Sequence, residues 1–129
     1  MVADADARAT ILVVDDDAEL RLFLVDLLRE EYTVLEAESA DAAVALLSNT
    51  SVDFVLSDVR MPGTMDGFGL AAWLRTNRPS TPMLLMSGYS GLFTPQRPDD
   101  PPLWRKPFPF SHLLAHIQHV LHPEPCCRV

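Results

Sequence analysis

Unbroken apolar runs and helically spaced apolar stripes take turns along this chain. Residues 10–14 (TILVV) form a largely β-branched run that stops at three acids. That is the pattern of a strand covered on both faces, since a strand with one wet face alternates. Leu20, Leu24, Leu27 and Leu28 then recur at helical spacing, with Arg29, Glu30 and Glu31 closing an amphipathic helix. Residues 33–37 predict a second strand, and Ser39 caps a second helix carrying Ala42, Ala43, Val44, Leu46 and Leu47. Residues 52–57 (VDFVLS) predict a third strand running into Asp58. After the loop VRMPGTMDG, with Pro62 and two glycines, a helix is expected from about residue 68 to 75, and residues 82–86 (PMLLM) predict a fourth strand.

This alternation has the spacing of βαβ units, whose right-handed crossovers build a parallel sheet with helices on both faces. The next helix is missing from the pattern. In residues 88–102 (GYSGLFTPQRPDDPP) four of the last eight residues are prolines, which lack an amide donor and clash with a helical turn, so this stretch predicts an irregular loop with at most one helical turn. Residues 103–105 predict a short fifth strand. Leu113, Leu114, Ile117, Val120 and Leu121 make the stripe of a last helix. The expected organisation is an N-terminal tail over residues 1–9, one domain over 10–121 and a tail over 122–129.

Composition agrees with one domain: 129 residues, 48% of them apolar, suffice for a single core. No apolar run approaches the roughly 20 residues of a membrane span, and MVADADARAT lacks the basic start and apolar middle of a secretion signal. A cytoplasmic protein is the expectation. Eighteen acids against ten basic residues give a formal charge of -8, which argues against nucleic acid as a partner and for basic partners or metal cations. Cys126 and Cys127 are adjacent near the end of the chain and cannot close a loop around the core.

In an open parallel sheet, ligands bind beyond the carboxyl ends of the strands. The residues there are Asp15 and Asp16 after the first strand, Asp58 after the third, Ser87 after the fourth and Lys106 after the fifth. Carboxylates held close raise one another's pKa unless a cation neutralises them, and an oxygen-only ligand set suits a hard ion such as Mg²⁺. A metal, an ammonium and a hydroxyl together can hold a phosphoryl group, and an aspartate beside the metal can act as nucleophile. Lys106 is the sole lysine beside nine arginines, a compact point charge kept where a planar fork fits poorly.

VVDDD at 13–17, LSDVRMPG at 56–63, LLMSGY at 84–89 and RKPF at 105–108, in that order and spacing, resemble the receiver domain of two-component response regulators. The likeness runs over residues 10–121. It implies a flavodoxin-like sheet of five parallel strands in the order 2-1-3-4-5. It also implies that Asp58 accepts a phosphoryl group from a histidine kinase or histidine phosphotransferase. Asp15, Asp16, Asp58 and the backbone carbonyl of Arg60 would hold Mg²⁺, Ser87 would bond a phosphate oxygen, and Lys106 would pair with it. A cis peptide is implied before Pro107.

Some features depart from the family pattern. The aromatic residue usual three positions before the lysine is Leu103 here, and Trp104 beside it should point to the opposite face. The proline-rich stretch is similar to receivers whose fourth helix is short or loosened. Arg60 and Tyr89 occupy positions that, in the family, tune the lifetime of the phosphoryl group, and their bulk points to slow hydrolysis. Asp17 is expected to cap the first helix, and His112, His116 and His119 to form a solvated or partner-facing surface rather than a zinc site. With only eight residues after the last helix, the expectation is a monomeric or weakly dimeric phosphoacceptor acting through protein contacts. Two alternatives stand beside it. One is a small phosphohydrolase of the haloacid dehalogenase type, using Asp15 and Asp17. The other is a receiver-like binding module that works without phosphate.

Overall fold

A computed structural model describes residues 8–61, 63, 65–88 and 101–122. Its elements follow one another as β1 (Thr10–Val14), α1 (Ala18–Leu28), β2 (Thr33–Ala37), α2 (Ala40–Asn49), β3 (Phe54–Asp58), α3 (Gly67–Asn77), β4 (Met83–Ser87), β5 (Leu103–Arg105) and α4 (Phe110–Leu121). The five strands form one sheet in the order β2-β1-β3-β4-β5, all neighbours parallel. This is the flavodoxin-like architecture that the resemblance to receivers implies. The proline-rich stretch expected in place of a further helix lies outside the described residues.

Two apolar layers explain why the strands read as continuous runs. Leu12, Val14, Val55, Met83, Leu85 and Leu103 pack against α2 and α3 on one face. Ile11, Val13, Phe54, Leu56, Leu84, Met86 and Trp104 pack against α1 and α4 on the other. In the central strands β1, β3 and β4 nearly every residue is buried on one face or the other, so both sets of alternating positions there are mostly apolar. Each buried Leu, Ile or Phe contributes about 1.5–3 kcal/mol relative to exposure. Leu103 and Trp104 do fall on opposite faces.

Side chains start three helices where the sequence suggests. Asp17 accepts from the amides of Glu19 and Leu20, Ser39 from that of Ala42, and Asp66 from that of Gly69. Boundaries shift slightly: β3 begins at Phe54 rather than residue 52, because Asp53 instead binds across to β1, its carboxylate accepting from the Thr10 amide at 2.7 Å. Pro82 stays outside β4, having no amide to offer the ladder, yet its carbonyl accepts from Val55 at 3.0 Å.

His116 departs from the expected solvated surface. It is half-buried, its ring 5.1 Å from that of Trp104 and 6.1 Å from that of Phe54. The cause is helical geometry: position 116 lies three residues from Leu113 and adjacent to Ile117, at the edge of the buried stripe of α4. His112 and His119 are exposed, as expected.

Candidate functional site

β1 and β3 are neighbours in the middle of the sheet, with Val14 in register with Ser57, so the residues at their carboxyl ends meet. Asp15, Asp16 and Asp58 each place a carboxylate oxygen within 4.8 Å of the other two. From β5, Lys106 brings its Nζ to 3.4 Å from Asp58 Oδ1 and 3.6 Å from Asp15 Oδ2. The Lys106–Pro107 peptide is cis. Ser87, buried at the end of β4, accepts from the Lys106 amide through its backbone carbonyl at 2.7 Å, which holds the ends of β4 and β5 together on one rim. Arg60 lines a cleft with Asp16, Met61 and Asp66.

The electrostatics are unbalanced. Asp15 is fully buried and Asp58 nearly so, while Asp16 is exposed. Burial raises the pKa of both Asp15 and Asp58 above the ordinary 3.8, against the opposing pull of Lys106. Asp15 Oδ1 accepts from the Asp17 amide at 3.0 Å, but Oδ2 is a buried oxygen that accepts no hydrogen bond from the described residues. Three carboxylates with an unsatisfied lone pair face one ammonium, and a hard divalent cation fits that donor set.

Two residues that the sequence reading passes over shape this rim. Arg21 sits at the apolar spacing of α1, three, four and seven residues before the buried Leu24, Val25 and Leu28. Its Nη1 donates to the Asp15 carbonyl at 2.8 Å and its Nε to Glu36 Oε1 of β2 at 2.8 Å. The available signal was a charge on a stripe otherwise reserved for the core, which demands partners. Gly67 opens α3 against the end of β3, its amide donating to the Val59 carbonyl at 2.8 Å. A Cβ there would meet the Asp58 carbonyl at 2.5 Å and Val59 Cα at 2.8 Å, so a helix start this close to the rim needs glycine.

Residues 11–98 match the family model of the response regulator receiver domain. The chain belongs to that family. Receivers are signalling domains of two-component systems rather than a catalytic enzyme family. The response regulator FleR of Pseudomonas aeruginosa is 41% identical over 85 residues, 65% of this chain, and the chain spans only 18% of the length of that relative. Among solved structures, a response regulator receiver protein from Sinorhizobium medicae superposes with a TM-score of 0.78 at 28% identity, over 90% of this chain and 96% of the other. The response regulator TrrA of Thermotoga maritima, in complex with Mg²⁺–BeF, gives a TM-score of 0.75 at 28% identity, over 88% of this chain and 99% of its own.

Other candidates fare differently. Asp17 caps α1 as expected, its Oδ1 accepting from the Glu19 and Leu20 amides. Tyr89 and the paired cysteines lie outside the described residues. Among the described residues, no helix is long and apolar enough to cross a membrane.

Proposed function

We propose that this receiver takes a phosphoryl group onto Asp58 from the phosphohistidine of a histidine kinase or histidine phosphotransferase, and that the resulting change of surface is read by a protein partner. The observation that carries the reading is the single ammonium of Lys106 set between Asp58 and Asp15, with Asp16 beside them. Asp15, Asp16 and Asp58, with the carbonyl of Arg60, would hold Mg²⁺; when bound, the ion offsets the carboxylate charge and the charge on the phosphoryl oxygens.

A carboxylate oxygen of Asp58 forms the new P–O bond as the P–N bond to the donor imidazole breaks, and the imidazole keeps that electron pair and leaves neutral after gaining a proton. The Ser87 hydroxyl donates to one phosphoryl oxygen. Lys106, released from Asp58 once that oxygen is esterified, pairs with another. The likeness to TrrA, which is described with Mg²⁺–BeF, supports a site of this kind.

Incubation with acetyl phosphate and Mg²⁺, read by intact mass, tests the proposal. One added phosphoryl group, lost in Asp58→Asn and on chelation of the metal, is expected. Label that survives Asp58→Asn but disappears in Asp15→Asn overturns it in favour of hydrolase-like chemistry. No label, with Mg²⁺ binding intact, leaves a passive binding module.

A further inference from the structure

Arg21 is an unusual occupant of its position. Its side chain is only 15% exposed, on the stripe that α1 otherwise gives to Leu24, Val25 and Leu28, and a guanidinium there must satisfy its donors or destabilise the helix packing. It does so in two directions. Nε meets Glu36 Oε1, and Nη1 meets the carbonyl of Asp15, both at 2.8 Å. Glu36 is exposed on the edge strand β2, on the same pleat side as Val34, which packs into the α1 layer.

The carbonyl that Arg21 holds belongs to the peptide joining Asp15 to Asp16. The other side of Asp15 is fixed by its own amide, which donates to the Ala37 carbonyl of β2 at 3.1 Å. The chain leaves the sheet at this point, so the next peptide is held not by a strand ladder but by these bonds and by the Asp17 amide, which donates to Asp15 Oδ1 at 3.0 Å. Asp15 and Asp16 project from either side of that peptide.

We propose that Arg21, braced by Glu36, is a positioning residue: by clamping the Asp15–Asp16 peptide it sets the spacing of the acid cluster, and divalent-cation affinity depends on it. This rests on the reading of the cluster as a cation site. Charge and position make opposite predictions. If Arg21 acted only as a nearby positive charge, removing it would tighten cation binding. Because Glu36 neutralises it at contact distance, replacing both residues leaves the local charge unchanged and removes only the clamp.

The test compares wild type, Arg21→Met/Glu36→Met and Arg29→Met. Methionine keeps the apolar stems, and Arg29 supplies an exposed charge on the same helix, paired with Asp26 at 3.7 Å and remote from Asp15. Mg²⁺ affinity is read by titration calorimetry, and amide hydrogen exchange by NMR on the metal-free protein. The double variant is expected to bind Mg²⁺ about tenfold more weakly, the usual scale for losing a group that orients metal ligands. Its Asp17 amide, held by Asp15 Oδ1 at 3.0 Å, should exchange faster while those of β3 do not change, and Arg29→Met should match wild type in both readouts. Unchanged or tighter Mg²⁺ binding, or unchanged exchange at Asp17, overturns the proposal. Should wild type bind no Mg²⁺ at all, the cation-site reading fails, and the clamp's effect on affinity fails with it. Faster exchange in the double variant would then identify a clamp that holds the peptide alone.

Discussion

Replacing Asp58 with asparagine should stabilise the metal-free protein, although it removes the proposed phosphoacceptor. At an effective dielectric of ~20, the attraction between Asp58 and Lys106 at 3.4 Å is about 5 kcal/mol. Repulsion from Asp15, whose oxygen lies within 4.8 Å, is about 3.5 kcal/mol or more on the same scale. Asp16 is exposed, and solvent screening leaves its share at roughly 1 kcal/mol. The Coulomb effects therefore nearly cancel, and the cost of holding a charge in a nearly closed site decides the sign. That agrees with burial being the leading cause of the raised Asp58 pKa.

Asparagine avoids this cost, leaves the Lys106–Asp15 pair in place, and should add about 1–2 kcal/mol of stability at pH 7, or roughly 4–8 °C in Tm. The pH dependence gives the reasoning a second handle. A carboxyl whose folded pKa is raised binds more protons in the folded state than in the unfolded state, so its stabilising effect is complete below 3.8 and disappears as pH rises through the folded value. The advantage of Asp58→Asn should thus be present at pH 7 and shrink to nothing below pH 3.8. Mg²⁺ should reverse the order: at about a hundred times its Kd it adds about 2.7 kcal/mol to wild type and much less to the variant, which lacks one carboxylate of the cluster. Calorimetric melts from pH 3.5 to 8, with chelator and with Mg²⁺, measure all three effects. A lower Tm for the variant in chelator at pH 7, or equal stabilisation by Mg²⁺ in both proteins, refutes the argument.

Lys106→Met should act in the opposite sense, costing about 3–5 kcal/mol without metal, because it strands the fully buried Asp15 beside Asp58; urea unfolding with a loss under 1 kcal/mol would contradict this. Gly67→Ala should cost about 1–3 kcal/mol, since the obstacles to its Cβ are backbone atoms of Asp58 and Val59, and it should also disturb the labelling of Asp58; a denaturation midpoint equal to wild type would show that α3 can shift freely. Burial holds the His116 pKa below its ordinary 6.5, with His119 adding to the effect, so the folded state releases this proton first and its stabilising effect is lost as pH falls below 6.5; the slope of stability against pH just below 6.5 should flatten in His116→Phe, and an unchanged slope would rule this out.

Much of the scaffold was legible because it rests on two simple periodicities. Continuous β-branched runs mean strands covered on both faces, and helical stripes mean crossovers, so a parallel sheet with helices on both faces follows from topology rules, while the order 2-1-3-4-5 was implied by the resemblance to receivers. The meeting of Asp15, Asp16, Asp58 and Lys106 was legible for the same reason: each closes a strand, and parallel strands end on one rim. What escaped depends on contacts between elements distant in sequence. Arg21 stands out in the sequence only as a charge on an apolar stripe, and its partners, Glu36 and the Asp15 carbonyl, come from elements that spacing on one helix does not specify. Gly67 reads as a turn residue until β3 is seen pressed against it. The partial burial of His116 depends on where Trp104 and Phe54 lie, which spacing on one helix does not specify.

The rim shows how a sheet can hold a constellation that opposes its own stability. Asp15 and Asp58 are attached to the central strands, where the backbone is fixed on both sides by neighbours, so mutual repulsion does not push them apart without breaking ladder bonds. The cation that opposes them comes from β5, an edge strand of three residues with one neighbour. Rigid acids and a less constrained base make an asymmetric arrangement. When the charge at Asp58 is altered, Lys106 and the short strand behind it are what the fold can move at least cost. Trp104, two residues before the lysine and packed on Phe108 and His116, would carry that movement into α4. Leu103 on the opposite face has no ring to reorient, so a surface change is expected first along β5 and α4.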